Sequence, residues 1–76
     1  MSAESISRAA DAYDHAARVA RNRASISPMV DGDASGAVAH ALEAVAVQLN
    51  DCASGLRRSV STAEREHSAF MGAFRE

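Results

Sequence analysis

Tryptophan and lysine are absent from this chain of 76 residues, cysteine and proline occur once each, and aromatic residues make up only 4%. The lone Cys52 excludes an intrachain disulfide, and with it the disulfide-stapled folds of small secreted proteins. Alanine supplies much of the apolar fraction, and alanine favours helices while burying little apolar area. At this length so thin a core is marginal on its own. We therefore expect slender helices whose stability depends partly on association.

Long apolar runs are missing as well. No segment has the roughly 20 apolar residues that span a bilayer, and no basic segment followed by an apolar run marks a cleaved signal peptide. The sequence predicts a cytoplasmic location, with export without a cleaved signal peptide as the alternative. The net charge of −2 lacks the basic footprint of nucleic-acid binding. The adjacent Arg57 and Arg58 are interpreted as part of a solvated helix surface.

One regular stripe of side chains, which we call the seam, organises the second half of the chain. Its members recur at steps of three and four residues, which keeps them on one face of a helix. They are Val38, Leu42, Val45, Leu49, Cys52, Leu56, Val60, Ala63, His67, Phe70 and Phe74. Two successive steps of four, before and after Leu56, form a stutter that locally straightens a supercoil. The regular spacing predicts a partner helix along the length of the seam.

A shorter helix precedes the seam. Ser2 is placed to cap it, and its apolar positions recur from Ile6 to Ala24. The dipeptides Ser27-Pro28 and Asp31-Gly32 then break the helical pattern. We predict a single domain with one helix over about residues 3–24, a loop over 25–35 and a second helix over about 35–73.

These elements predict an all-α fold, an antiparallel helical hairpin with a short first and a long second helix that dimerises into a helical bundle. The weak point of the second helix is Gly55, because glycine costs about 1 kcal/mol relative to alanine in a helix. A break near Gly55 gives the alternative fold, a three-helix bundle.

The two predicted helices differ in length, and this difference predicts an interface. A first helix of about 21 residues covers the second only to around Leu56. Burial of the remaining Val, Met and Phe side chains at roughly 1.5–3 kcal/mol each contributes on the order of 15 kcal/mol in two copies. That gain offsets an association cost of about 4–15 kcal/mol. The predicted partner interface comprises Leu42, Val45, Leu49, Leu56, Val60, Ala63, Phe70, Met71 and Phe74.

Residues with catalytic or metal-binding chemistry do not form a recognisable pattern. Glu64 and His67 have the Glu-x-x-His spacing of di-iron bundles, but the chain supplies neither a second such pair nor further carboxylates at matching spacing. No serine lies in a glycine elbow, and no glycine-rich loop follows a strand. The sequence predicts a non-enzymatic protein with no cofactor and no bound metal.

The turn between the helices resembles the signature of a known family. The small type VII (ESX) secretion substrates carry Trp-x-Gly between two antiparallel helices, with an alanine and then an apolar residue at the start of the second. Here Val30 stands in place of the tryptophan, Gly32 matches the glycine, and Ala34 and Val38 match the following positions. Gly36 lies in the same turn segment. The resemblance covers the whole chain as an arrangement of elements and is specific around Gly32.

Two departures from that family shape the functional hypothesis. The first helix is shorter than the family's usual arm, and Phe70 and Phe74 stand where the family has its C-terminal Tyr-x-x-x-Asp/Glu export signal. The resemblance implies a type VII secretion-associated small substrate, or an export partner that relies on a second chain for the signal. The expected binding partner of this chain is another protein, in a homodimer or a heterodimer. The alternative is a cytoplasmic adaptor or chaperone-like coiled-coil subunit that binds a larger effector or toxin.

Overall fold

The computed structural model of the chain describes residues 2–73. Helix α1 spans Ala3–Ser25, a short helix α2 spans Ser27–Val30, a 3-10 turn spans Gly32–Ala34, and helix α3 spans Ser35–Ala73. No strand occurs among these described residues. The prediction of an all-α fold is therefore confirmed.

Helix α1 begins where the sequence provides a cap. Ser2 has an extended backbone, and its hydroxyl oxygen accepts a hydrogen bond from the Ser5 N–H at 3.2 Å, as expected for a serine that precedes a helix. Glu4 lies in the first turn and Arg23 in the last, where each complements the helix dipole. Local chemistry thus defines both ends of the helix.

The segment expected to be a loop, residues 25–35, consists mostly of short helical turns. Pro28 lies in the first turn of α2, where a missing N–H costs no hydrogen bond. Gly32 has a φ of +56°, which lies in the left-handed region that glycine adopts most easily. Two compact turns therefore take the place of an open loop between α1 and α3.

Helix α3 passes through Gly55 without a break. One glycine costs about 1 kcal/mol, which is too little to interrupt a helix of 39 residues. The alternative three-helix bundle broken near Gly55 is therefore not the arrangement that these residues adopt.

Helices α1 and α3 lie side by side and run in opposite directions. Ala17 and Ala20 pack with Ala46, whereas Asp11, earlier in α1, pairs with Arg57, later in α3. Within residues 2–73 the buried hydrophobic residues are all alanines, namely Ala10, Ala17, Ala20, Ala24, Ala46 and Ala53. Because these side chains are small, the two backbones can approach closely while burying little apolar area.

Helix α3 is much longer than its intrachain partner. It has 39 residues against 23 in α1, so that α1 covers about 35 Å of a helix about 59 Å long. Every residue from 61 to 73 is exposed. We call residues 61–73 the α3 extension; it gives the described part of the chain its dimensions of 68 × 15 × 15 Å.

Candidate protein-binding face

The seam of α3 does not point directly at α1. At about 100° per residue, the seam is centred about 80° around the helix from Ala46 and Ala53, which are buried against α1. Alanines therefore fill the centre of the contact between the two helices. The larger side chains lie along one flank of that contact.

This flank and the adjoining surface of α1 form one apolar face. Two shallow grooves between the helices adjoin one another there, and both include Ala9 and Tyr13 of α1. We define the apolar face by its chief lining residues, Ile6, Ala9, Tyr13, Leu49, Cys52 and Leu56. The interface predicted from the sequence lay on α3 alone, and the structure adds Ile6, Ala9 and Tyr13 of α1.

Five of the predicted interface residues lie where α1 covers α3. Leu42 and Leu49 are half-buried and pack against the alanine core, so part of their surface serves the chain's own fold. Leu56 and Val60 are also half-buried, whereas Val45 is exposed. These residues thus combine intrachain packing with an open outer edge.

The other predicted interface residues belong to the end of the chain. Ala63, Phe70 and Met71 are exposed in the α3 extension, with Phe70 at 61% and Met71 at 45%. Phe74 lies outside the described residues. The seam accordingly continues beyond the part of α3 that α1 covers.

The opposite side of the helix pair is polar. Arg57 Nη2 lies 2.6 Å from Asp14 Oδ2 and 2.8 Å from Asp11 Oδ1. Hydrogen bonds to Asp14, and then to Asp11, raise the pKa of Arg57. With its amide oriented to satisfy both neighbours, Asn50 donates to Asp14 at 3.3 Å and accepts from Arg21 at 2.8 Å. Arg57 is exposed, in agreement with its interpretation as helix surface, and its ion pairs also join the two helices on the side away from the apolar face.

A polar cluster holds the turn in place. Ser27 is fully buried, and its Oγ donates to Asp31 Oδ2 at 2.6 Å. Arg23 Nη2 donates to Asp31 Oδ1 at 2.8 Å. The bond from Arg23, followed by that from Ser27, lowers the pKa of Asp31. These bonds tie the end of α1 to the turn, and no motif in the sequence indicated them.

The residues of the family-like turn occupy different environments. Val30, at the position of the family's tryptophan, is 60% exposed at the end of α2. Gly32 provides the left-handed residue of the turn. Gly36 lies in the first turn of α3, and a Cβ added there would have no atom within 4 Å. Only Gly32 is required by the backbone.

The described residues form neither a metal-ligand cluster nor an enclosed cleft on the apolar face. Within residues 2–73, no group of three or more His, Cys, Asp or Glu side chains is placed to hold a metal ion. The apolar face is a shallow, open surface rather than an enclosed cleft, and enclosed clefts are typical of small-molecule sites. None of the helices in this part of the chain has the length and apolar character to cross a membrane.

Comparison of the chain with models of protein families, with curated proteins and with solved structures gives no match.

Proposed function

We propose that this chain is a non-enzymatic helical interaction protein that binds another helical protein through its apolar face. The observation that carries this proposal is the orientation of the seam, which is turned aside from α1 and continues along the α3 extension. A binding partner would cover a stripe of large apolar side chains that the chain's own fold covers only in part.

The energetics favour this use of the seam. Because the fully buried side chains between α1 and α3 are alanines, intrachain packing leaves the larger seam residues half-buried or exposed. Full burial of a Val, Leu, Met or Phe side chain stabilises by roughly 1.5–3 kcal/mol. Several such residues per partner suffice to offset an association cost of about 4–15 kcal/mol.

The two sides of the helix pair differ in polarity, which gives binding a direction. On the polar side, Arg57 already satisfies Asp11 and Asp14, and a partner there would have to desolvate these ion pairs at a cost. On the apolar side no such penalty arises. The proposed assembly is a helical bundle built on the apolar face, as a homodimer or heterodimer.

The proposed biological role is a type VII secretion-associated small substrate or export partner. It is supported by the left-handed Gly32 between two helices that run in opposite directions, which is the position of the glycine in the family's turn. In a heterodimer, the different second chain would also supply the export signal whose positions Phe70 and Phe74 occupy here.

A cytoplasmic adaptor or chaperone-like coiled-coil subunit is the second candidate. It is favoured by the α3 extension, a helix of exposed residues that could add to a bundle of a larger effector or toxin. In this role the protein would stay in the cell, bound to that larger chain.

Fractionation of the native host separates the two roles. For the secretion role, we expect the protein in the culture medium only when the type VII machinery is intact, with a cytoplasmic enzyme as the control for lysis. Retention in the cell together with a larger co-purifying protein would support the adaptor and contradict export. Substitution Leu56→Asp should abolish export in the first case and co-purification in the second. Val19→Asp, on an exposed outer position of α1, should abolish neither.

A further inference from the structure

The spacing of the seam is symmetric about Leu56. Toward the start of α3 the seam continues with Cys52, Leu49, Val45 and Leu42, and toward its end with Val60, Ala63, His67 and Phe70. The steps away from Leu56 are four, three, four and three residues in both directions. A seam of this kind matches itself when a second copy is turned end for end.

We infer that the occupant of the apolar face is a second copy of this chain, bound antiparallel with Leu56 at the two-fold axis. This inference rests on the proposed function, which it deepens by naming the partner and its register. A two-fold contact requires that a surface be complementary to itself. In this register each seam position meets another seam position, for example Cys52 with Val60, Leu49 with Ala63, and Leu42 with Phe70 of the second copy.

The stutter acquires a structural role in this arrangement. Two steps of four adjoin at Leu56, and a stutter locally unwinds a coiled coil. At the two-fold axis, the two α3 helices can therefore lie nearly straight beside each other. Away from the axis, the alternating steps of three and four are those of ordinary coiled-coil packing.

The same axis suits α1. Ala9 lines the groove that contains Leu56, so the two-fold axis passes between the α1 helices near Ala9. Because alanine is small, the second α1 can approach closely at that point. The result is a four-helix bundle in which α1 and α3 each face their own counterpart.

The antiparallel register also gives the α3 extension a partner surface. The register pairs each residue with the one equally far on the other side of Leu56, so that the α3 extension lies along residues 39–51 of the second copy. That stretch is where α1 and α3 pack together within each chain, with Ala46 in the alanine core. Each extension is thereby covered by the other copy's helix pair. A parallel pair would instead place the two extensions beside each other with no α1 against them.

Single-cysteine cross-linking tests this register. The two Cys52 residues would be about 12 Å apart along the direction of the α3 helices. A disulfide needs Cα atoms about 4.4–6.8 Å apart. We expect the wild-type chain, with its native Cys52, to remain uncross-linked under mild oxidation. Leu56→Cys in a Cys52→Ser background should cross-link at least tenfold faster. The matched control Val19→Cys in the same background, on the exposed outer side of α1, should not cross-link.

Sedimentation of the same samples separates the possible failures. A dimer that cross-links through native Cys52, or through neither position, would overturn the antiparallel register and leave the proposed function standing. A chain that stays monomeric at every concentration would overturn the second copy as partner. A monomer that also captures no helical protein in its host would overturn the proposed function itself. The measurement on native Cys52 requires no substitution, so a cross-link there would contradict the register even if the Leu56 variant does not fold.

Discussion

Alanine determines how the helices of this chain pack. Ala10, Ala17 and Ala24 recur every seven residues in α1, as Ala46 and Ala53 do in α3, and all five are buried. Alanines were among the apolar positions predicted from Ile6 to Ala24 in the first helix, but the interface was predicted from the larger residues of the seam. The sevenfold spacing was a usable signal for the core. What it could not show is that the larger residues stand to one side of that core.

The first prediction concerns this close contact. Ala46→Leu adds three carbons at a fully buried position, and overpacking of this kind typically costs about 1–3 kcal/mol of unfolding free energy. Ala44→Leu, at an exposed position two residues earlier, is the matched control and should change stability by less than about 0.5 kcal/mol. Urea denaturation followed by circular dichroism measures both. Equal stability of the two variants would mean that α1 does not pack against Ala46.

The second prediction concerns Asp31 and pH. Arg23 first, and then Ser27, lower the pKa of Asp31 in the folded chain. A lowered folded-state pKa contributes stability above the unfolded carboxyl pKa of about 3.9, and this contribution is lost as pH falls through the folded value. Asp31→Asn should therefore lower the melting temperature at pH 7 and have progressively less effect below about pH 4.

Thermal denaturation at pH 7 and pH 3 measures that difference, with Asp33→Asn as the control. Asp33 is an exposed carboxylate two residues along the same turn. If Asp31→Asn and Asp33→Asn melted alike at pH 7, the contacts of Asp31 with Arg23 and Ser27 would not stabilise the turn.

At the scale of the elements, sequence patterns were most informative about helices and least about the turn. The cap at Ser2 and the periodic seam predicted α1 and α3 because both signals are local. The weak helix-breaking tendency of Gly55 left the continuity of α3 open, and the structure resolves it as one helix. The turn depends on Arg23 and Asp31, whose pairing requires the chain to fold back first. No local pattern contains that information.

The third prediction separates two glycines of the turn segment. Gly32 has a φ of +56°, so Gly32→Ala should cost about 1–2 kcal/mol, the penalty of a left-handed L-residue. Gly36 lies in α3 with open space around its added Cβ, and Gly36→Ala should stabilise by about 0.5–1 kcal/mol. Chemical denaturation compares the two variants with the wild type. Effects of the same sign would contradict the assigned backbone of the turn.

At the scale of the whole molecule, the unequal helix lengths were predictable and the arrangement of the faces was not. The lengths follow from periodicity along the chain. The polar side depends on Arg57 reaching Asp11 and Asp14 across the helix pair, and this requires the packing angle and register of α1 on α3. The same register decides that Ile6, Ala9 and Tyr13 join the seam in one apolar face.

Small-angle X-ray scattering tests the central claim most directly, because it reports mass and length together. One copy of 7.9 kDa has a long dimension of 68 Å over its described residues. Two copies turned end for end about Leu56 overlap along nearly all of α3, so we expect twice the mass with a maximum dimension still near that of one copy. A particle of one-copy mass at all concentrations, or one of doubled mass and much greater length, would contradict the account.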